Sequence, residues 1–182
     1  SAWSVYVWGD GGKGVSPTPF AEVSGGRLNL NGRGSNTWVN NDQSSGGSVT
    51  LLRPLEGNLD LDVWVRVLAA SSGSNNGKAG IEIRDSLDGG AVKLDYVRDN
   101  GGNRLQAGYR DFLYDGMESS NDASGVNTPV WLRVKRLGNR FEFWYSTRAN
   151  PTQSDSDWTF QSSRDLPMGD NVFVGFIHAS YN

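Results

Sequence analysis

Hydrophobic and polar residues alternate with a period of two along several short stretches of this chain. Between residues 59 and 67 the odd positions are all apolar, whereas the even positions hold Asp60, Asp62, Trp64 and Arg66. Because successive side chains of a β-strand point to opposite faces of a sheet, this pattern predicts a strand with one face on a core. No stretch keeps the 3.6-residue period of a helix over several turns.

Turn-forming clusters of Gly, Asn, Ser and Asp separate these stretches, at the roughly ten-residue spacing typical of sandwiches and barrels. The segments between them predict eleven strands, at residues 5–8, 27–30, 49–52, 59–67, 79–84, 92–98, 105–109, 130–136, 140–147, 158–162 and 172–179. In a chain of 182 residues, this number of short strands indicates an all-β protein. We expect an antiparallel β-sandwich of two sheets that forms a single domain over residues 1–182.

The strand at residues 79–84 has one apolar face and one charged face. Ile81 and Ile83 point to one side, whereas Glu82 and Arg84 point to the other. One interpretation is that Glu82 and Arg84 form an ion pair in solvent. The other is that they line a ligand groove, where a guanidinium and a carboxylate bind the hydroxyl groups of a sugar.

A second polar face is predicted on the strand at residues 105–109, where Arg104, Gln106 and Arg110 point away from the core. The default interpretation is a sheet face in solvent. If this strand lies beside the Glu82 and Arg84 strand, the two faces form one polar surface that could bind a ligand.

Two tryptophans complete the candidate ligand site. Trp144 shares a strand face with Glu142, so it either packs across strands or offers a stacking surface beside a hydrogen-bond acceptor. Trp38 follows a turn-rich segment and either caps an edge of the core or borders a sugar site. Both alternatives stay open for each residue.

Composition narrows the classes of function. The net charge of −3 and the pI near 5.1 do not favour nucleic-acid binding. Seven Trp, six Tyr and seven Phe are generous for this length, and aromatic faces that a core does not need could stack on sugar rings. The absence of cysteine excludes disulfides and thiolate metal sites. No apolar run is long enough to predict membrane insertion.

The sequence predicts no required cofactor, but a structural calcium ion is possible. Asp10, in a glycine-rich loop, is the candidate ligand, because calcium prefers carboxylate and carbonyl oxygens. No loop has the regular Asp-x-Asp-x-Asp-Gly spacing of a dedicated calcium loop. His178 is the only histidine, so a site with several histidines is excluded.

Two sequence strings carry a resemblance to a known family. The first is Lys-Ala-Gly-Ile-Glu-Ile-Arg-Asp-Ser-Leu at residues 78–87, and the second is Trp-Leu-Arg-Val at 131–134, followed by Gly-Asn at 138–139 and Phe141. These strings resemble the concanavalin A-like lectin/glucanase superfamily, and within it the laminin-G-like jelly-roll modules of bacterial extracellular proteins. Glu82 departs from the pattern, because many members have an apolar residue there.

The resemblance covers nearly the whole chain and implies a jelly-roll fold. It also implies a noncatalytic carbohydrate-binding module of a secreted carbohydrate-active enzyme or adhesin. Such a module would be extracellular or at the cell surface, and would bind a polysaccharide or oligosaccharide beside neighbouring domains of a longer chain. The ligand contacts would come from Glu82, Arg84, Gln106, Arg110, Glu142, Trp144 and Trp38.

Two other functions are compatible with the sequence. The first is a structural or protein-binding spacer within a large surface protein, in which the polar faces are simply solvated. The second, which is weaker, is a glycoside hydrolase. The jelly-roll glucanases that this chain resembles carry Glu-x-Asp-x-x-Glu on one strand, and that string is absent here.

Overall fold

The computed structural model describes residues 2–12, 20–34, 37–44, 46–57, 59–70, 76–119 and 122–180. Their strands are β1 (Ser4–Gly9), β2 (Phe20–Ser24), β3 (Arg27–Asn31), β4 (Gly47–Leu55), β5 (Asp60–Val67), β6 (Lys78–Arg84), β7 (Lys93–Asp99), β8 (Arg104–Arg110), β9 (Glu118–Ser119), β10 (Val130–Leu137), β11 (Arg140–Ser146), β12 (Thr159–Asp165) and β13 (Val172–Ala179). Single 3₁₀ turns occur at Gly101–Asn103 and Asp155–Asp157. Within these residues, no helix is both long and apolar enough to span a bilayer.

The strands form two large antiparallel sheets and one hairpin. The larger sheet has seven strands in the order β1-β4-β13-β6-β7-β8-β9, and the smaller has four in the order β12-β11-β10-β5. The two sheets pack face to face as a sandwich, while β2 and β3 pair separately. The predicted all-β, antiparallel two-sheet sandwich of the jelly-roll type is therefore confirmed.

The core lies between the inner faces of the two sheets. Alternation brings Ile81, Ile83 and Tyr96 inward from the larger sheet, and Leu132 and Phe143 inward from the smaller one; all five are fully buried. Across the interface the rings of Tyr96 and Phe143 meet edge to face, with centroids 5.3 Å apart. The apolar residues of each alternating strand therefore face the core, and the opposite face of the strand is available to polar side chains.

All eleven strands predicted from the sequence are present, with ends that differ by a few residues. The two strands that were not predicted are β2 and β9. β2 joins β3 through Gly25 and Gly26, whose φ angles of 59° and 73° fit a tight hairpin turn. β9 has only two residues, too few for alternation to be detected.

Phe143 and Phe160 provide a matched test of the core. Phe143 is fully buried, whereas Phe160 on the neighbouring strand β12 is 47% exposed. Phe143→Ala should lower the free energy of unfolding by about 3–5 kcal/mol, because a large cavity opens between the sheets. Phe160→Ala should cost about 1 kcal/mol or less. Urea denaturation followed by Trp fluorescence measures both, and equal costs would contradict this position of the core.

Candidate functional site

The outer face of the seven-stranded sheet carries charged side chains in regular cross-strand rows. Strands β6, β7 and β8 pair so that Arg84, Lys93 and Arg110 form one row at one end of the face. Glu82, Asp95 and Gly108 form the next row; then follow Gly80, Val97 and Gln106; and Lys78, Asp99 and Arg104 form the row at the opposite end. The polar surface predicted for β6 and β8 is continuous through β7.

Loops cover the first end of this face. Residues 37–44 lie over it, and Asp42 N donates a hydrogen bond to Gly89 O at 2.8 Å in the turn after β6. Tyr114 N likewise donates to Gly90 O at 2.8 Å. As a result Glu82, Arg84 and Arg110 are all 0% exposed.

Six charged residues form what we call the buried charge cluster: Asp42, Glu82, Arg84, Lys93, Asp95 and Arg110. The Asp42 carboxylate lies 3.2 Å from Lys93 Nζ, 3.3 Å from Arg84 Nη1 and 3.2 Å from Arg110 Nη2. Glu82 pairs with Arg84 at 3.2 Å, and Asp95 pairs with Lys93 at 3.0 Å. Three acidic and three cationic side chains thus lie together away from solvent.

The two arginines also bind backbone carbonyls of the covering loops. Arg84 donates to Ser86 O at 2.7 Å and to Asp88 O at 2.5 Å, and its guanidinium lies 4.0 Å from the ring centroid of Trp8. The interpretation of Glu82 and Arg84 as an ion pair is therefore observed, but in the interior rather than in solvent. Neither side chain presents surface to a ligand in this arrangement.

Arg110 fixes the loop that carries Trp38. It donates to Gly89 O at 3.0 Å, to Ala91 O at 3.1 Å and to Val39 O. Because Val39 follows Trp38 directly, this bond holds the tryptophan over β8. Arg110, predicted from the sequence as a ligand contact, is placed by the structure where it positions a loop.

A pocket of about 410 Å³ opens at the other end of the same face. Its described lining residues are Trp38, Asn76, Lys78, Asp99, Arg104, Gln106, Met117 and Ser119. This volume is within the range of small-molecule sites and is large enough for one or two sugar rings. An aromatic ring and several polar side chains therefore meet around one cavity.

The Asp99 carboxylate contacts both cations of this pocket, Lys78 and Arg104. Its Oδ2 accepts a hydrogen bond from Arg104 Nη2 at 2.9 Å and lies 3.7 Å from Lys78 Nζ. Its Oδ1 accepts one from Gly101 N at 2.8 Å. Arg104 Nε also donates to Gly101 O at 2.8 Å. These contacts fix the guanidinium while 38% of the Arg104 side chain stays exposed.

Gln106 presents an unused acceptor in the same pocket. Its Nε2 donates to Asp122 Oδ2 at 3.3 Å, and the Ser119 hydroxyl donates to the other oxygen of that carboxylate. Gln106 Oε1 is buried and has no hydrogen-bond partner among the described residues. A buried acceptor without a partner costs about 1–3 kcal/mol, so a donor from a ligand would be favourable there.

Trp38 forms one wall of the pocket because Gly108 lets it approach the sheet. A Cβ atom on Gly108 would lie 2.5 Å from Cη2 of the Trp38 ring, much closer than any normal contact. Trp38 remains half-buried and lines the cavity. The structure places the ring against Gly108 on the outer face of the sheet, where it borders the pocket, and a role of Trp38 in sugar binding stays a prediction.

Glu142 and Trp144 lie on the outer face of the smaller sheet, across the sandwich from the pocket. Trp144 Nε1 donates to Glu142 Oε2 at 3.1 Å, and Lys135 Nζ lies 5.5 Å from the Trp144 ring centroid. The residues predicted as one ligand site thus occupy three places: the buried charge cluster, the pocket and this second face. Only Trp38 and Gln106 come together in the pocket.

Lys78, Asp99 and Met117 are pocket residues that were not singled out from the sequence. The available signal was the alternation on β6, which puts Lys78 on the same face as Glu82 and Arg84. Asp99 could be placed only by knowing the register between β6 and β7, because it pairs across strands with Lys78.

The predicted calcium ligand Asp10 lies beside β4, where its Oδ1 occupies the space that a Cβ atom on Gly47 would take. In the part of the chain that the structure describes, no group of three or more His, Cys, Asp or Glu residues could hold a metal ion. Asp10 would therefore depend on backbone carbonyls and water for the rest of a calcium shell. Calcium binding stays a prediction.

Comparisons with known proteins support the fold. No protein-family model matches the sequence, and no curated protein matches it either. Among solved structures, a functionally unknown protein from Saccharomyces cerevisiae is similar with a TM-score of 0.66 and 18% identity, over 100% of this chain and 87% of that one.

Two similar structures are connected with carbohydrates by name. The carbohydrate-binding module CBM66 from Bacillus subtilis has a TM-score of 0.58 and 9% identity, over 96% of this chain and 86% of that one. The GH43 protein BlXynB from Bacillus licheniformis has a TM-score of 0.59 and 16% identity, over 85% of this chain but 29% of that one. At these identities the likeness shows a shared β-sandwich fold.

The buried charge cluster predicts a specific pH dependence of stability. Burial raises the pKa of Asp95 to about 8, from 3.8 in the unfolded chain. Burial alone would also raise the pKa of Asp42, but Lys93, Arg84 and Arg110 lower it below its usual value. Between pH 3.8 and about 8, the Asp95 carboxyl is protonated in the folded state but ionised in the unfolded chain. This group therefore lowers the free energy of unfolding as pH rises from about 4 to about 8.

Asp95→Asn should remove this part of the pH dependence, because the amide does not titrate. Urea denaturation at pH values between about 5 and 8 should show a smaller decline for the variant than for the wild type. Asp60→Asn, at an exposed position, is the matched control and should keep the wild-type profile. Parallel profiles for Asp95→Asn and the wild type would refute the assignment.

Proposed function

We propose that this protein is a noncatalytic carbohydrate-binding module and that the pocket beside Trp38 is its binding site. The observation that carries the proposal is the pocket itself, where an aromatic wall stands beside Lys78, Arg104 and Gln106. A sugar ring has an apolar C–H face and a rim of hydroxyl groups, so it requires both a stacking surface and nearby hydrogen-bonding groups. The similarity in fold to a carbohydrate-binding module is in keeping with this function.

In the proposed complex each group has a distinct role. Trp38 stacks on the sugar ring, Gln106 Oε1 accepts a hydrogen bond from a hydroxyl group, and Arg104 donates one. Arg84, Glu82 and Arg110 act indirectly, because they hold the covering loops in place. The module would be extracellular and would concentrate a linked enzyme or adhesin at a polysaccharide.

A catalytic function is less well supported by this pocket. Glycoside hydrolysis by the common mechanisms needs two carboxyl groups, about 5–9.5 Å apart, on either side of the scissile bond. Among the described lining residues, Asp99 is the only acid. The spacer alternative is favoured by one observation: the charges of Glu82 and Arg84 are satisfied inside the protein.

A glycan screen followed by calorimetry tests the function and the site together. Trp38→Ala should weaken binding of any hit by about tenfold or more, because the stacking surface is lost. Trp144→Ala, a tryptophan on the opposite sheet, should change the affinity less than about twofold. Loss of binding in Trp144→Ala alone would move the site to the smaller sheet. The absence of binding to plant, algal, fungal and bacterial glycans would favour the spacer.

Gly108 provides a test that deletes no ligand contact. Gly108→Ala should push the Trp38 ring off β8 and weaken glycan binding by roughly threefold or more, measured by calorimetry. Gly116→Ala is the matched control, because a Cβ there meets no atom within 4 Å. Equal affinity of the two variants would show that the position of Trp38 does not matter for binding.

A further inference from the structure

Both ends of the outer sheet face gather more cations than acids from β6, β7 and β8. At the closed end the strands contribute Arg84, Lys93 and Arg110 against Glu82 and Asp95. The covering loop then supplies Asp42, which contacts all three cations. An acid from outside the sheet thus completes this end.

At the open end the strands contribute Lys78 and Arg104 against Asp99 alone. The remaining described lining residues are Trp38, Asn76, Gln106, Met117 and Ser119, which carry no charge. Asp122 lies one row away, where its carboxylate accepts hydrogen bonds from Gln106 and Ser119. No described residue occupies the place that Asp42 takes at the closed end.

Lys78 lines the pocket, and its ammonium lies 3.7 Å from Asp99 Oδ2 and donates a hydrogen bond to Asn76 O at 3.4 Å. Burial lowers the pKa of Lys78 below its usual value, and the positive charge of Arg104 lowers it further. Asp99 and, more weakly, Asp95 oppose this effect but do not cancel it. A negative charge placed in the pocket would therefore interact favourably with both cations.

Arg104 has a donor that can reach such a charge. Its Nε and Nη2 atoms bind Gly101 O and Asp99, so the guanidinium plane is fixed. Nη1 makes no hydrogen bond within the described part of the chain, and the side chain is partly exposed at the pocket. A fixed guanidinium with one unused edge favours an anionic acceptor over a neutral hydroxyl group.

We propose that the pocket selects an anionic sugar, whose carboxylate or sulfate group is held between Lys78 Nζ and Arg104 Nη1. This inference rests on the proposed function and names the class of its ligand. A uronic-acid residue fits best, because its planar carboxylate is attached directly to the ring that would stack on Trp38. The anion of the ligand takes the role that Asp42 has at the closed end.

Proton uptake is a consequence of this arrangement. The charged groups around Lys78 Nζ are Asp99 and Asp95 on β7 and Arg104 on β8. An added anion raises the pKa of Lys78, so binding at alkaline pH draws a proton from solution. Affinity should fall as pH rises through the pKa of Lys78, and this pKa is lower than that of an ordinary lysine.

The experiment compares three ligand sets by calorimetry: uronic-acid oligosaccharides, the same oligosaccharides after carboxyl reduction, and sulfated oligosaccharides. We expect the uronates to bind about tenfold or more tightly than their reduced forms. The difference should shrink at high ionic strength. Sulfated sugars that bind as well as uronates would support the anion site and widen its ligand class.

Arg104→Gln tests the residue directly. It should weaken uronate binding roughly tenfold but weaken binding of the reduced sugar only about threefold, because the reduced sugar loses a hydrogen bond from Arg104 but no ionic contact. Arg140→Gln is the matched control, since Arg140 is also exposed and paired with one acid, Glu142, but lies on the smaller sheet. Arg104→Lys should restore part of the preference, and urea denaturation confirms that each variant is folded.

The outcomes separate the two proposals. If neutral and anionic sugars bind equally well and Trp38→Ala abolishes both, the anion inference is wrong while the carbohydrate-binding function stands. If no sugar in any of the three sets binds, both proposals fail. If Arg104→Gln weakens the neutral and anionic sugars equally, Arg104 binds hydroxyl groups and the anion inference is again overturned.

Discussion

The structure depends most on the contacts of Asp42 with three cations of the outer sheet face. Arg84, Lys93 and Arg110 are buried beneath a loop, where an unpaired charge would be costly, and removal of one partner of a buried pair typically costs about 3–5 kcal/mol. Asp42 meets all three, so these contacts hold the loop at residues 37–44 over the sheet face. That position also sets Trp38 beside Gly108. An electrostatic constraint at one end of the sheet therefore shapes the pocket at the other.

The strands could be predicted from the sequence because each has one face on the core. Alternation along β5, β6, β8, β10 and β11 is set by burial between the sheets, which is a local pattern in the chain. The same alternation shows only that Glu82 and Arg84 point away from the core. Whether that face meets solvent or a loop depends on Asp42, which is 40 residues away from Glu82 in the printed sequence. Local sequence patterns therefore could not predict that Glu82 and Arg84 are buried.

The candidate site was predicted only in part for a related reason. Trp144 and Gln106 both point outward, but β11 and β8 belong to different sheets, and strand alternation does not reveal sheet membership. The row of Lys78, Asp99 and Arg104 requires the register of two strand pairs. A one-residue slip of β7 on β6 would send Asp99 to the core face, and a slip of β8 on β7 would do the same to Arg104. The residue types at single positions suggest polar side chains here, but the pairing of the strands decides which of these side chains lie next to each other.

One sheet face thus contains two arrangements of charge with different outcomes. Where a loop supplies Asp42, three cations are paired and the loops close over them. Where it does not, Lys78 and Arg104 share Asp99 beside an open cavity. The contacts at the closed end benefit binding at the open end, because they hold a wall of the pocket in place and groups that are already fixed lose little conformational entropy when a ligand arrives. The open pocket is in this sense the counterpart of the buried charge cluster beneath the loops.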